Sequence, residues 1–344
     1  MADSKKEWVL KAFKGERVDK VPVGFWYHFL AEEEFGQGLD NPELFKKNLQ
    51  GHQKFIKEVD PDFIKLMSDG FFTYPNELIH TNVTSIQELA NISSIGENHP
   101  WFDQQVQLVK AIKESFTEDI VAIYNIFSPV TYLKWQLSGQ VAHGDGIIAR
   151  FLQEDAQTLK KVLNVIAGDI ATLTRKIIAE AGLEGIYLSV QSIQDSNVTS
   201  EDYRNYITPS DLTIIEAAQQ AQGLTVLHIC GYEGASNDIK LFKDYPAQVF
   251  NWAVGPEGIS LAQGRKLFGG KTVLGGFVNT KDGILYKGSK DDIQTEVKKL
   301  LQESGTLATV IGADCTIPSD IAAERIAWVK EAVTLYVERR RLFK

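Results

Sequence analysis

Cysteine is nearly missing from this chain: Cys230 and Cys315 are the only two among 344 residues. A disulfide-stapled scaffold is therefore excluded, and the place of each sulfur becomes informative. Prolines number only 10, and no Pro/Gly/Ser-rich tract divides the chain into separate units. No stretch approaches the roughly 18 uninterrupted apolar residues of a membrane span. The opening residues, Met-Ala-Asp-Ser-Lys-Lys-Glu, carry no apolar signal segment. These absences predict a cytoplasmic protein with no membrane partner. Cations are also in deficit, 36 Lys and Arg against 45 Asp and Glu, and the resulting net charge of −9 argues against a nucleic-acid partner. An apolar fraction of 44% is ample for a large core and excludes a disordered chain.

What is present is alternation. Eight short apolar runs, at 21–26, 62–69, 120–128, 185–190, 225–230, 248–254, 272–278 and 308–315, read as strands buried on both faces. Amphipathic stretches at 103–116, 147–181, 209–222, 261–267 and 291–304 separate several of them, and the last opens on acidic residues and closes before Gly305 as a capped helix does. The pattern predicts an α/β fold, a single (β/α)8 TIM barrel over 1–344. A helical extension at 1–20 and an inserted helical region at 29–59, covering one mouth, complete it. A final helix over 321–344 ends in the solvated basic run Arg339, Arg340, Arg341.

Barrel enzymes carry their chemistry at the C-terminal ends of the strands. Those positions hold Trp26, Tyr27, His28, Asp69, Ser128, Gln191, His228, Cys230, Asn251, Trp252, Asn279, Asp314 and Cys315. His228 and Cys230 are two apart, so strand alternation turns both to one face. Cys315 ends the eighth run, and inward-facing ends of strands five and eight converge over a barrel axis. One imidazole and two thiolates form a three-ligand zinc set with a free fourth position. The alternative is a pair of small buried thiols beside a core histidine. His52, His80, His99 and His143 read as surface residues, and Gly255-Pro256-Glu257-Gly258 as a turn, since no phosphate-binding glycine motif occurs.

Leu227-His228-Ile229-Cys230-Gly231, with Gly312-Ala313-Asp314-Cys315 far downstream, resembles the His-X-Cys…Cys zinc motif of the methylcobamide:thiol (coenzyme M-type) methyltransferases, a branch of the uroporphyrinogen decarboxylase superfamily. Gly15-Glu16-Arg17-Val18-Asp19, Leu66-Met67-Ser68-Asp69, Ser128-Pro129-Val130-Thr131 and Gly275-Gly276-Phe277-Val278-Asn279 resemble further family segments, so the likeness runs over nearly the whole chain. It implies a barrel of the uroporphyrinogen decarboxylase type and Zn(II) on His228, Cys230 and Cys315. It also implies methyl transfer between a zinc-activated small-molecule thiol, or a methylated substrate, and a corrinoid. No Asp-X-His-X-X-Gly corrinoid signature occurs, so the corrinoid would arrive on a separate partner protein. Relatives are often homodimeric.

The resemblance also implies alternatives: a tetrapyrrole decarboxylase of porphyrin biosynthesis, or a non-catalytic relative with structural zinc. A substrate bearing eight carboxylates calls for arginine forks. Here Gly24-Phe25-Trp26-Tyr27-His28-Phe29-Leu30 stands where decarboxylases carry arginines, and after Arg17 the next arginine is Arg150. Asp69 points the other way, because it resembles the aspartate with which decarboxylases bind pyrrole nitrogens. It reads equally as a turn carboxylate, or as a group orienting substrate or a zinc ligand. Tyr27, His28, Gln191, Trp252 and Asn279 are candidate substrate contacts. Trp26, Tyr27, Phe71, Phe72, Tyr74 and Trp252 are candidates to line a mouth wide enough for a macrocycle, with core packing as the alternative.

Overall fold

A computed structural model describes residues 3–139, 144–231 and 234–342. Its strands are β1 (Val23–Gly24), β2 (Phe63–Leu66), β3 (Val121–Phe127), β4 (Gly185–Val190), β5 (Leu224–Ile229), β6 (Val249–Trp252), β7 (Thr272–Phe277) and β8 (Thr309–Ala313). All pair in parallel in the order β1-β8-β7-β6-β5-β4-β3-β2. Each expected apolar run coincides with one strand: β4 fills its run, β5 starts one residue earlier at Leu224, and the others are trimmed where the chain turns out of the ladder. The result is the (β/α)8 barrel.

The longer helices are α1 (Lys5–Phe13), α2 (Pro42–Val59), α3 (Pro100–Lys113), α4 (Pro129–Ser138), α5 (Asp145–Ala179), α6 (Thr208–Gln220), α7 (Leu261–Leu267), α8 (Lys290–Ser304) and α9 (Ala323–Leu342). Local chemistry sets their ends. Ser4, Ser260 and Ser289 each close a capping box, and Pro42, Pro100 and Pro129 occupy first turns where a missing N–H costs nothing. Asp155 leaves helical geometry inside α5 and caps its second segment by accepting from the Gln157 and Thr158 amides. Within residues 29–59 lie a short turn, Glu32–Glu34, and α2, which packs in the outer ring against α3 and α9. Among the described residues no helix is long and apolar enough to cross a membrane.

Two apolar cores result. One fills the space between the sheet and the surrounding helices. The other lies inside the barrel, where Phe63, Val121, Leu224, Val249 and Leu274 meet Trp8, Val9 and Phe13 of α1, so the N-terminal helix plugs the end of the barrel remote from the strand C-termini. Phe13 and Phe63 meet edge to face with centroids 5.0 Å apart.

The barrel's seam lies between β1 and β2, which share no ladder. There the Asp62 carboxylate accepts the Val23 N–H at 2.9 Å, and Gly24 is required because a Cβ would collide with the Phe63 ring. Gly312 across the β1–β8 pair is equally constrained, since its Cβ would lie 2.7 Å from the Gly24 carbonyl oxygen.

His52 is a correction to the surface reading. It is fully buried on α2, its Nδ1–H donating to the Asn48 carbonyl at 2.9 Å and its Nε2 accepting the Met67 N–H at 2.9 Å. These bonds fix the neutral ring and tie α2 to the exit of β2. Burial pushes its pKa down from 6.5 to about 4. Because the folded value is the lower one, its stabilisation is complete above pH 6.5 and is lost as the pH falls toward 4. We expect His52→Gln to flatten that part of the stability–pH curve by roughly 3 kcal/mol, measured by urea unfolding across the range. An unchanged slope would reject this assignment. His80 is exposed, and His99 caps α3 by accepting the Trp101 N–H at 3.1 Å. His143 lies outside the described residues.

Candidate metal centre

Strand alternation sends His228 of β5 into the barrel, and the chain carries Cys230 one residue beyond the strand, where its N–H still donates to the Val190 carbonyl of β4 at 2.8 Å. Across the axis Asp314 donates its N–H to the Phe277 carbonyl at 2.8 Å, which leaves Cys315 at the head of the next turn. The two segments converge. One ligand atom from each of His228, Cys230 and Cys315 lies within 4.8 Å of the others.

The donors suit a metal ion. The Cys315 Sγ stands 3.3 Å from His228 Nε2, near the about 3.5 Å edge that ordinary zinc–sulfur and zinc–nitrogen bonds give a tetrahedron. The other ring nitrogen, Nδ1, is buried without a hydrogen-bond partner. The two sulfurs shift each other in opposite senses: Cys230 and His228 hold Cys315 well below the usual thiol range, and Cys230 beside it is pushed well above that range. A metal ligand must be deprotonated, and the lowered pKa of Cys315 favours that form.

Several neighbours fix the centre. The Gln191 side chain lies against Cys230 and favours its charged form. Asn279 donates to the Thr316 carbonyl at 3.1 Å and so ties the segment after β7 to the residue following Cys315. Asn251 accepts the Tyr187 hydroxyl at 2.8 Å and donates to the Leu274 and Ala313 carbonyls at 2.9 and 3.1 Å. Tyr187 in turn stacks on His228 with ring centroids 5.2 Å apart. Burial pushes the Asp314 carboxyl up to about 7, next to the thiolate of Cys315.

Other sequence candidates lie elsewhere. Trp252 is buried on the outer face of β6, against Phe268, its indole N–H donating to the Ile259 carbonyl at 2.9 Å. Tyr27 packs edge to face on Phe29 and on Phe55 of α2. Asp69 is fully buried, and its oxygens receive the Phe29 N–H at 2.7 Å, the Leu30 N–H at 3.2 Å and meet His28 Nδ1 at 2.8 Å. It anchors the 28–30 rim and makes no hydrogen bond to a ligand of the cluster. Of the aromatics expected at the mouth, Trp26, Phe71 and Tyr74 are core, with Tyr74 donating to Asp169 at 2.5 Å. Phe72 is buried too, in an aromatic cluster with His28, Phe35, Phe127 and Trp135.

Two residues escaped the sequence reading. Asn237 donates to the Cys230 carbonyl at 3.0 Å and to Glu257 at 2.8 Å, and accepts the Ser192 N–H at 2.8 Å, which joins the turns after β4, β5 and β6. No sequence signal marks it. Lys65, on the inner face of β2, places its Nζ 3.9 Å from the centroid of the Tyr187 ring. Its signal was visible: a lysine between Phe63 and Met67, inside an otherwise apolar strand. Burial pushes its ammonium pKa down to about 8, opposed by the negative charge of Cys315, Asp69 and Cys230.

The uroporphyrinogen decarboxylase family model matches residues 75–336. The chain belongs to the uroporphyrinogen decarboxylase family. Among solved structures, a methyltransferase from Methanosarcina mazei superposes with a TM-score of 0.69 at 17% identity, covering 97% of this chain and 99% of its own. A B12-independent methionine synthase from a Shewanella species, in complex with selenomethionine, gives a TM-score of 0.55 at 10% identity over 94% of this chain and 99% of its own. At such identities the likeness is one of fold. No curated protein sequence matches the chain.

Proposed function

We propose that this family member is a zinc-dependent methyltransferase, moving a methyl group between a small-molecule thiol and a corrinoid brought by a separate protein. The convergence of His228, Cys230 and Cys315 at the strand C-termini carries the reading. Three protein ligands with a position left for substrate distinguish catalytic from structural zinc. The full-length likeness to a protein named a methyltransferase supports it.

His228, Cys230 and Cys315 would hold the ion, and zinc supplies one thing when bound: it lowers the pKa of a thiol that joins it. The chain supplies the rest. Stacking on Tyr187 and the Asn251 bonds hold His228 in one orientation, while Gln191 and Asn237 fix the side chain and carbonyl of Cys230. The thiol proton would leave to solvent, the sulfur's electron pair would form the new S–C bond, and the pair of the broken methyl–corrinoid bond would stay on the corrinoid, so no general base need stand at the site.

Protein purified under reducing conditions is expected to hold about one zinc per chain and to transfer methyl from free methylcobalamin to 2-mercaptoethanol. Removing the ion with a chelator should stop the transfer, and restoring zinc should recover it. Chain without stoichiometric zinc, or tetrapyrrole decarboxylation by metal-free protein, would overturn the reading.

A further inference from the structure

Lys65 is a cation placed among rings. It is only 5% exposed, and its Nζ lies over Tyr187 at 3.9 Å and Trp26 at 5.2 Å, with no carboxylate or hydrogen-bond acceptor assigned to it among the described residues. Aromatic faces attract an ammonium but do not cancel its charge, and a buried charge without an opposite one is costly. The anionic groups that act on it are Cys315, Asp69 and Cys230. Asp69 directs its oxygens to His28, Phe29 and Leu30 and forms no ion pair with Lys65, so the sulfur centre is the neighbouring anion whose charge can change. The Tyr187 ring under the ammonium also stacks on His228, which joins Lys65 physically to the ligand set.

Charge counting then distinguishes two states of the site. A dication with two thiolates and a neutral imidazole sums to zero, so the centre itself adds no charge to the balance between Lys65 and Asp69. A third sulfur arriving as thiolate makes the centre an anion, which the field of Lys65 stabilises. On the reading that the site is a zinc–thiol centre, we propose that Lys65 is the built-in counter-charge for the substrate sulfur, setting the affinity for an anionic fourth ligand while leaving metal uptake nearly alone. It acts through the field it imposes on the site and therefore positions charge; it makes no contact required by the transfer itself.

The test uses the full chain loaded with cobalt(II), whose absorption reports each sulfur that joins it. Wild type and Lys65→Met are titrated with cobalt, then with 2-mercaptoethanol, 3-mercaptopropionate and neutral imidazole. Lys65→Met should take up cobalt within about threefold of wild type, yet bind both thiols at least about tenfold more weakly, with imidazole binding unchanged. Equal thiol binding by the two proteins overturns the proposal. So does a loss confined to 3-mercaptopropionate, which would make Lys65 an anchor for the substrate's own carboxylate. Wild-type protein that takes up no cobalt, or shows no new band with thiol, instead defeats the zinc–thiol reading beneath it. Should Lys65→Met fail to fold, Lys65→Gln, neutral and polar, replaces it, and the cobalt titration verifies that the site has formed.

Discussion

Cys315→Ser is expected to lower zinc affinity by at least about 100-fold and to abolish methyl transfer, with Cys230→Ser doing the same. The argument is one of donor chemistry. Serine is near in shape, but its hydroxyl neither ionises near neutral pH nor offers a soft donor, so two ligands remain where three stood. The metal-free proteins should also differ in a way that tests this coupling of the sulfurs. In wild type the two thiols shift each other in opposite directions, Cys230 up and Cys315 down. Without Cys315, Cys230 loses the neighbour that raises its pKa; without Cys230, Cys315 loses the neighbour that lowers its own. Zinc content by elemental analysis, affinity by chelator competition and turnover with methylcobalamin decide the matter. Transfer that survives in either variant would relegate the ion to stapling β5 and β8.

Asp69→Ala should be the most destabilising single change near the site. Its buried carboxylate serves the Phe29 and Leu30 amides and the His28 ring. Three donors left unserved at about 1–3 kcal/mol each cost roughly 3–9 kcal/mol together, a large share of the stability of a typical domain. Asp69→Asn keeps an acceptor and should lose about half as much. Denaturant unfolding measures both, and zinc content should stay at its wild-type value in the folded fraction, because Asp69 makes no hydrogen bond to the three ligands. A loss below about 1 kcal/mol on truncation to Ala would reject the anchoring role.

The barrel was legible because a strand covered on both faces needs continuous apolar residues, and eight such runs stand out from amphipathic helices. The sulfur and imidazole set was legible for a different reason: two cysteines in the whole chain both fell at strand ends. What misled was the inside and outside of single positions. His228 aligns with Asn251 across β5 and β6, so Asn251 shares the inner face and Trp252 must point outward; alternation contains that answer once the register is known. Tyr27 lies beyond β1, where alternation no longer governs. His52 follows Leu44 and Asn48 and precedes Phe55 and Val59 on the buried stripe of α2, a helical spacing that a closer reading would have caught. Asp69 and Asn237 act through turns whose shape depends on distant elements, and no local pattern encodes that.

Because the centre gathers every cysteine the chain possesses, labelling with a thiol reagent becomes a gauge with no background. On the zinc reading each alkylated sulfur would be a vacated coordination bond, and mass spectrometry of the intact chain would count occupancy molecule by molecule.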